Sequence, residues 1–154
     1  MTSASRRSDC PISMSLDIWG DKWTLLIVRD LMFEGKKTYG QFLSSDEGIA
    51  TNILAARLKL LKDQGIIRSV SNPANRSSVI YHLTEKGVDL LPLILEIHLW
   101  AEKHLPVSDE IRRTLKTVKS DKTGFIQNFA DRLNEESRQL NQETASPTTS
   151  SGEN

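Results

Sequence analysis

The chain has 154 residues and a mass of 17.3 kDa, room for one domain with a sizeable core but not for two catalytic domains, since compact domains cluster around about 100 to 150 residues. Twenty basic residues balance twenty acidic ones, so a polyanionic partner must be met by a local patch, and 38% hydrophobic with 26% charged residues excludes wholesale disorder. The single cysteine, Cys10, excludes an internal disulfide framework and a cysteine-rich zinc site, and fits a reducing cytoplasm.

Residues 1–9 read as a flexible polar arm, with two arginines but without the apolar stretch of roughly 7 to 15 residues that a signal peptide requires. The greasiest run, residues 88–100, contains Asp89, Pro92 and Glu96 and falls short of the roughly 20 residues of a membrane span. A cytoplasmic protein with no membrane partner is expected. Residues 10–105 form the dense periodic region, 106–140 a helical extension, and 141–154, with no large apolar residue, a tail expected to be disordered.

In chain order, Met14 to Trp19 predicts a short apolar helix, and Gly20 with Asp21 a break and an N-cap. Within 22–33, Trp23, Leu26, Ile27 and Leu31 recur at helical spacing, and Gly35 supplies the stop. Thr38 caps a brief helix over 39–44, and Asp46-Glu47-Gly48 turns the chain into a second helix over 50–64. At 100° per residue, Ile53, Leu54, Leu58, Leu60 and Leu61 of that helix share one arc, and Thr51, Asn52, Ala55, Ala56, Lys59 and Lys62 share the other. The second arc, small and hydrogen-bonding near its start and cationic farther on, suits a duplex groove. Arg57 falls in the apolar arc, where a packed stem paired to a carboxylate competes with a phosphate contact.

After Gly65, residues 66–71 and 79–83 predict two strands, and the turn formers of 72–78 a hairpin with a basic tip at Arg76. Thr84 caps a long helix over 85–104, apolar in nearly every direction and bent at Pro92. One of its sides faces its own core and the other a second subunit. Ile111, Leu115 and Val118 form one further helical stripe, and Phe125, Phe129, Leu133 and Leu140 another. The predicted fold class is mainly α with a small β-hairpin: a dimeric winged helix-turn-helix.

Several short motifs, in order and without gaps, support this assignment. They are Cys10-Pro11, LDIWGDKWTLLIVRDL, Gly48-Ile49, ARLKLLKDQGII, Tyr81 with Leu83-Thr84, Gly87, Leu91-Pro92 and Trp100. Together they resemble the HxlR-type bacterial transcriptional regulators, related to the MarR group. The resemblance implies a homodimer whose recognition helices enter successive major grooves. It also implies that Cys10 lies near the position where several members sense disulfide or electrophile stress; a half-buried structural cysteine is the competing reading. The chain departs from the family at Thr38-Tyr39 (commonly Arg-Phe), Ala50 (a serine cap), Ala55-Ala56 (a polar pair) and Arg76-Ser77-Ser78 (Pro-Pro-Arg).

The expected DNA-binding residues are Lys36, Lys37, Thr38, Thr51, Asn52, Ala55, Ala56, Lys59, Lys62, Asn75 and Arg76. From Ala50 to Lys86 six basic residues face two acidic ones, a local excess suited to phosphates. The expected dimer interface is Leu16, Ile18, Leu91, Leu95, Leu99 and Trp100. His82, His98 and His104 make no metal-ligand or nucleophile-base arrangement, so no catalytic residue, metal or cofactor is expected. The expected function is that of a sequence-specific DNA-binding regulator, a repressor on a palindromic operator, responsive to a redox or small-molecule signal. A winged-helix protein-interaction module is the alternative, separated from it by the local basic excess.

Overall fold

Proline costs a helix nothing at its first position, where its N–H has no partner to lose, and Pro11 opens helix α1 (Pro11–Trp19) in the computed structural model, which describes residues 8–145. The helix therefore begins three residues ahead of the predicted run. It buries no residue completely and leaves Ile12 and Leu16 exposed. Helix α2 (Thr24–Phe33) starts two residues later than predicted. Asp21 nevertheless satisfies its first donors, its Oδ1 accepting from the backbone N–H of Trp23 at 2.8 Å and of Thr24 at 3.0 Å.

Thr38 caps α3 (Tyr39–Leu43) through a reciprocal pair of bonds with Gln41. The turn to α4 (Thr51–Asp63) passes through Gly48, and α4 ends at Gly65, both with positive φ. Strands β1 (Ile67–Asn72) and β2 (Asn75–Leu83) pair antiparallel from Ile67↔Leu83 to Asn72↔Asn75, with an irregularity at Ser71/Asn72. The predicted turn over 72–78 shrinks to residues 73–74. Asn72 Oδ1 tightens it by accepting from Ala74 N, so Arg76 stands on a strand just beyond the tip.

The predicted long helix is two helices. Thr84 caps α5 (Glu85–Val88), the chain breaks at residues 89–90, and α6 (Leu91–His104) begins with Pro92 in its first turn. Proline thus starts a helix here and does not bend one. At α5, a Cβ on Gly87 would lie 2.2 Å from Ile66 O, so glycine permits the helix to press against the root of the hairpin. Ser108 caps α7 (Asp109–Ser120), and α8 (Lys122–Ala145) follows. Helix α8 runs to Ala145, past the expected start of the tail at residue 141. The rest of that tail and most of the expected arm lie outside the described residues.

The order α2, α3, α4, hairpin, α5–α6 is a winged helix-turn-helix. Its core joins Val28 and Leu31 of α2, Phe42 of α3, Leu54, Leu58 and Leu61 of α4, Ile67 and Leu83 of the hairpin root, and Leu91, Ile94 and Leu95 of α6. Val118 of α7 and Leu133 of α8 join the same core, so the C-terminal helices close it. No helix of the described residues is long and apolar enough to cross a membrane.

Candidate nucleic-acid interface

Helix α4 divides its two arcs as its sequence requires. Leu54, Leu58 and Leu61 are buried, whereas Thr51, Asn52, Ala55, Ala56, Lys59 and Lys62 are all exposed along one face. Tyr39 Oη donates to Thr51 O at 2.7 Å, tying α3 to the first turn of α4. Lys59 Nζ lies 2.5 Å from Asp63 Oδ2, one turn on, with 77% of its side chain still exposed. An exposed pair of this kind exchanges readily with water or a phosphate.

The other face of α4 is held to the body by Arg57. Its Nε lies 3.2 Å from Asp21 Oδ1, an ion pair without the alignment of a hydrogen bond, so of the two readings of Arg57 the packed, carboxylate-paired one describes its position. Burial pushes the Asp21 carboxyl up. Hydrogen bonds from the Thr24 hydroxyl and from the Trp23 and Thr24 amides, with the Arg57 charge, outweigh it and hold the group below the ordinary carboxylate value. Asp21 therefore stays ionised and joins the start of α2 to the middle of α4.

Lys36 and Lys37 both meet carboxylates of the chain itself. Lys36 Nζ donates to Ser45 Oγ at 2.6 Å and reaches buried Asp30 at 3.4 Å, and Ser45 Oγ donates to the same Asp30 oxygen at 2.6 Å. Together with Arg29, whose guanidinium lies 2.6 Å from the other Asp30 oxygen, the amine neutralises a carboxylate in the core, which corrects its expected place on a phosphate. Lys37 Nζ faces Glu136 of α8 at 3.6 Å, a partly exposed pair that, like Lys59–Asp63, can exchange for a phosphate. No signal in the sequence marked Asp30 as buried, because its partners lie up to 15 residues away.

One backbone bond and one hydroxyl bond tie the wing to the start of α3 and to the end of α4. Tyr81 N of β2 donates to Lys37 O at 2.7 Å, and Thr84 Oγ1 donates to Gly65 O at 2.5 Å. Between the start of α3 and the wing runs a trough of about 570 Å³ lined by Thr38, Tyr39, Asn75 and Ser77 among others. Thr38 Oγ1 and Asn75 Oδ1 are engaged as local acceptors, from Gln41 N and from Ser77 N and Oγ. Arg76 is exposed, with no ion-pair partner among the described residues.

Cys10 is exposed at the N-cap of α1, which corrects the half-buried reading. Of the expected interface residues, Leu16 and Trp100 are exposed, at 47% and 59%, and Ile18 and Leu99 are half-buried. Leu91 and Leu95 are exposed by only 0% and 2%. They fill the chain's own core and present no surface to a partner, a correction to their expected role. Ile12, Ile97 and Leu105, not singled out in the sequence, are exposed instead. The signal for Ile97 was available: it lies three residues before Trp100, on the side of α6 opposite Leu91 and Leu95.

The model of the HxlR-like helix-turn-helix family matches residues 18–109. The HTH-type transcriptional regulator sll1512 of Synechocystis sp. is 35% identical over 89 residues, 58% of this chain and 65% of its own length. The chain thus spans just under two thirds of that relative. Among solved structures, PA1607, a candidate transcription factor, superposes with a TM-score of 0.60 at 42% identity, covering 67% of this chain and 70% of its own. The redox regulator HypR in its oxidised form superposes with a TM-score of 0.56 at 30% identity, over 64% of this chain and all of its own.

Proposed function

This chain belongs to the HxlR-like helix-turn-helix family, and from that premise we propose that it is a cytoplasmic, sequence-specific transcriptional regulator that represses as a homodimer on a palindromic operator. The observation that carries this reading is the outer face of α4, where every side chain from Thr51 to Lys62 on one arc is exposed above a buried leucine row. Asn52 is suited to a bidentate pair with adenine, Lys59 to a guanine, and the methyls of Ala55 and Ala56 to thymine. Thr51 and Lys62 flank these on the backbone. Arg76 contacts a phosphate or the minor groove, with Thr38 and Asn75 beside it. Exposed Leu16 and Trp100 mark the surface that pairs two protomers. Such a pairing sets the recognition helices one DNA turn, about 34 Å, apart.

Cys10 is the residue for a redox input. With one thiol per chain, oxidation joins two subunits or adds a small thiol, and the similarity to the redox regulator HypR supports that role.

A salt titration tests the DNA reading. Lys62 and Arg76 offer two phosphate contacts per protomer, so a dimer makes about four and log K falls against log salt with a slope of about −3.6. Binding to a two-half-site operator that is flat in salt would leave the protein-interaction reading in its place.

A further inference from the structure

A second cavity lies on the side of the molecule built by the C-terminal helices. It measures about 350 Å³ and is walled by Phe33 of α2, Leu95 and His98 of α6, Ile111 and Leu115 of α7, and Phe125 and Phe129 of α8, among others. That volume falls within the range of small-molecule sites. The wall is aromatic as well as apolar: Phe33 and Phe129 have ring centroids 5.1 Å apart, Phe125 and Phe129 5.4 Å, and Phe33 meets the His98 ring edge-on at 5.9 Å. At these spacings the rings touch one another and make one continuous aromatic wall. Glu110 to Phe129 of this wall lies beyond the segment matched by the family model, so the cavity is a property of this chain's own extension.

Its polar groups set the chemistry of the occupant. His98 Nδ1 donates to Ile94 O at 2.8 Å, so this nitrogen is already engaged within α6. Glu110 lines the cavity and carries the one formal charge on its wall. Its carboxylate has no ion-pair partner among the described residues, unlike Glu102 and Glu96 nearby, which pair with Lys119 and Lys122. Arg132 stacks over Phe129 at 4.3 Å, but it is outside the lining and faces Glu136. An apolar, aromatic box whose one formal charge is a carboxylate without an ion-pair partner lacks a cation. We propose that this cavity binds a small aromatic amine, its ring laid against the wall that Phe33, Phe125 and Phe129 form together and its ammonium toward Glu110.

The probes are tryptamine, indole and indole-3-propionate, titrated calorimetrically into the full-length protein without DNA, so that failure here leaves the DNA reading untouched. Tryptamine is expected to bind with a dissociation constant between about 10 and 500 µM, more tightly than indole, and indole-3-propionate most weakly. Glu110→Gln, at an exposed position, weakens tryptamine by about threefold to fivefold and leaves indole unchanged. Ile111→Trp fills the mouth and weakens both by on the order of tenfold. Thr114→Phe, also exposed, serves the same purpose should the first variant fail to fold. The proposal is overturned if none of the three probes binds below about 1 mM, as when a second copy covers the cavity, if the acid binds as tightly as the amine, or if filling the mouth leaves tryptamine affinity unchanged.

Discussion

Asn52 and Arg76 are both exposed and polar, yet their surroundings assign them different work. Asn52 rides on a helix fixed by the Arg57–Asp21 pair and the Tyr39–Thr51 bond, so its amide is held at one place relative to a groove. Arg76 sits near the end of a two-stranded hairpin, on a long side chain with no ion-pair partner among the described residues to set its direction. Asn52→Ala is therefore expected to relax base preference at one position per half-site in a binding-site selection. Arg76→Ala should weaken all sequences about equally and lower the salt slope by about 1 for each phosphate that its guanidinium no longer neutralises. His82 answers to burial. Desolvation pushes its pKa below the ordinary histidine value, the bond to Leu83 O offsets part of this, and the charge of Arg68 adds to the depression. The fold thus binds fewer protons than the unfolded chain below about pH 6.5, so stability falls as pH drops from there to the folded-state pKa and then levels. Urea midpoints at pH 7.5 and 5.5 should differ for the wild type by more than for His82→Gln. Equal differences would show that the ring does not titrate with unfolding.

Elements here are decided by what touches their ends. Gly87 and Gly40 both lie in short helices, and sequence alone treats them alike. An alanine at Gly87 meets the carbonyl of Ile66, whereas one at Gly40 meets nothing within 4 Å. Gly87→Ala is expected to cost about 2 to 4 kcal/mol by forcing α5 off the hairpin root, and Gly40→Ala to gain about 0.5 to 1 kcal/mol from helix propensity. Thermal melts of both variants check the contrast, and a neutral Gly87→Ala would show that α5 has room to spare at the hairpin root. The capping box at Thr38 was legible because its two partners lie three residues apart. The break between α5 and α6 was not, since an apolar run containing a proline reads equally as one bent helix or as a helix begun anew.

At the scale of the whole molecule, α6 has two faces with different duties. Leu91, Ile94 and Leu95 fill the core, while Ile97 and Trp100 face outward, as do Ile12 and Leu16 of α1. In the proposed dimer these exposed apolar side chains are the ones available to a partner. Trp100→Glu and Leu16→Glu are expected to yield a folded monomer by light scattering at micromolar concentration, with a cooperative melt and no binding to a two-half-site operator. Leu95→Glu should instead lose its cooperative melt, because a carboxylate would be placed in the core. A dimer that survives Trp100→Glu with operator binding intact would move the interface elsewhere.

Periodicity and turn chemistry alone carried the architecture. The leucine row of α4 against its polar arc, the stops at Gly35 and Gly65, the turn formers between the two strands and the caps at Thr38 and Thr84 are relations between residues a few positions apart, and those are legible in order along the chain. The candidate DNA-reading arc followed from the same rule. Tertiary structure decided which charges have partners within the fold: Lys36 is spent on Asp30 and Ser45 and Arg57 on Asp21, while Lys37 is brought beside Glu136 of a helix almost a hundred residues later. It also decided which side of α6 is core and brought three phenylalanines from distant helices around one cavity. A charge takes whichever partner the fold brings within a few ångströms, and that distance is set by packing between segments whose separation in sequence carries no record of it.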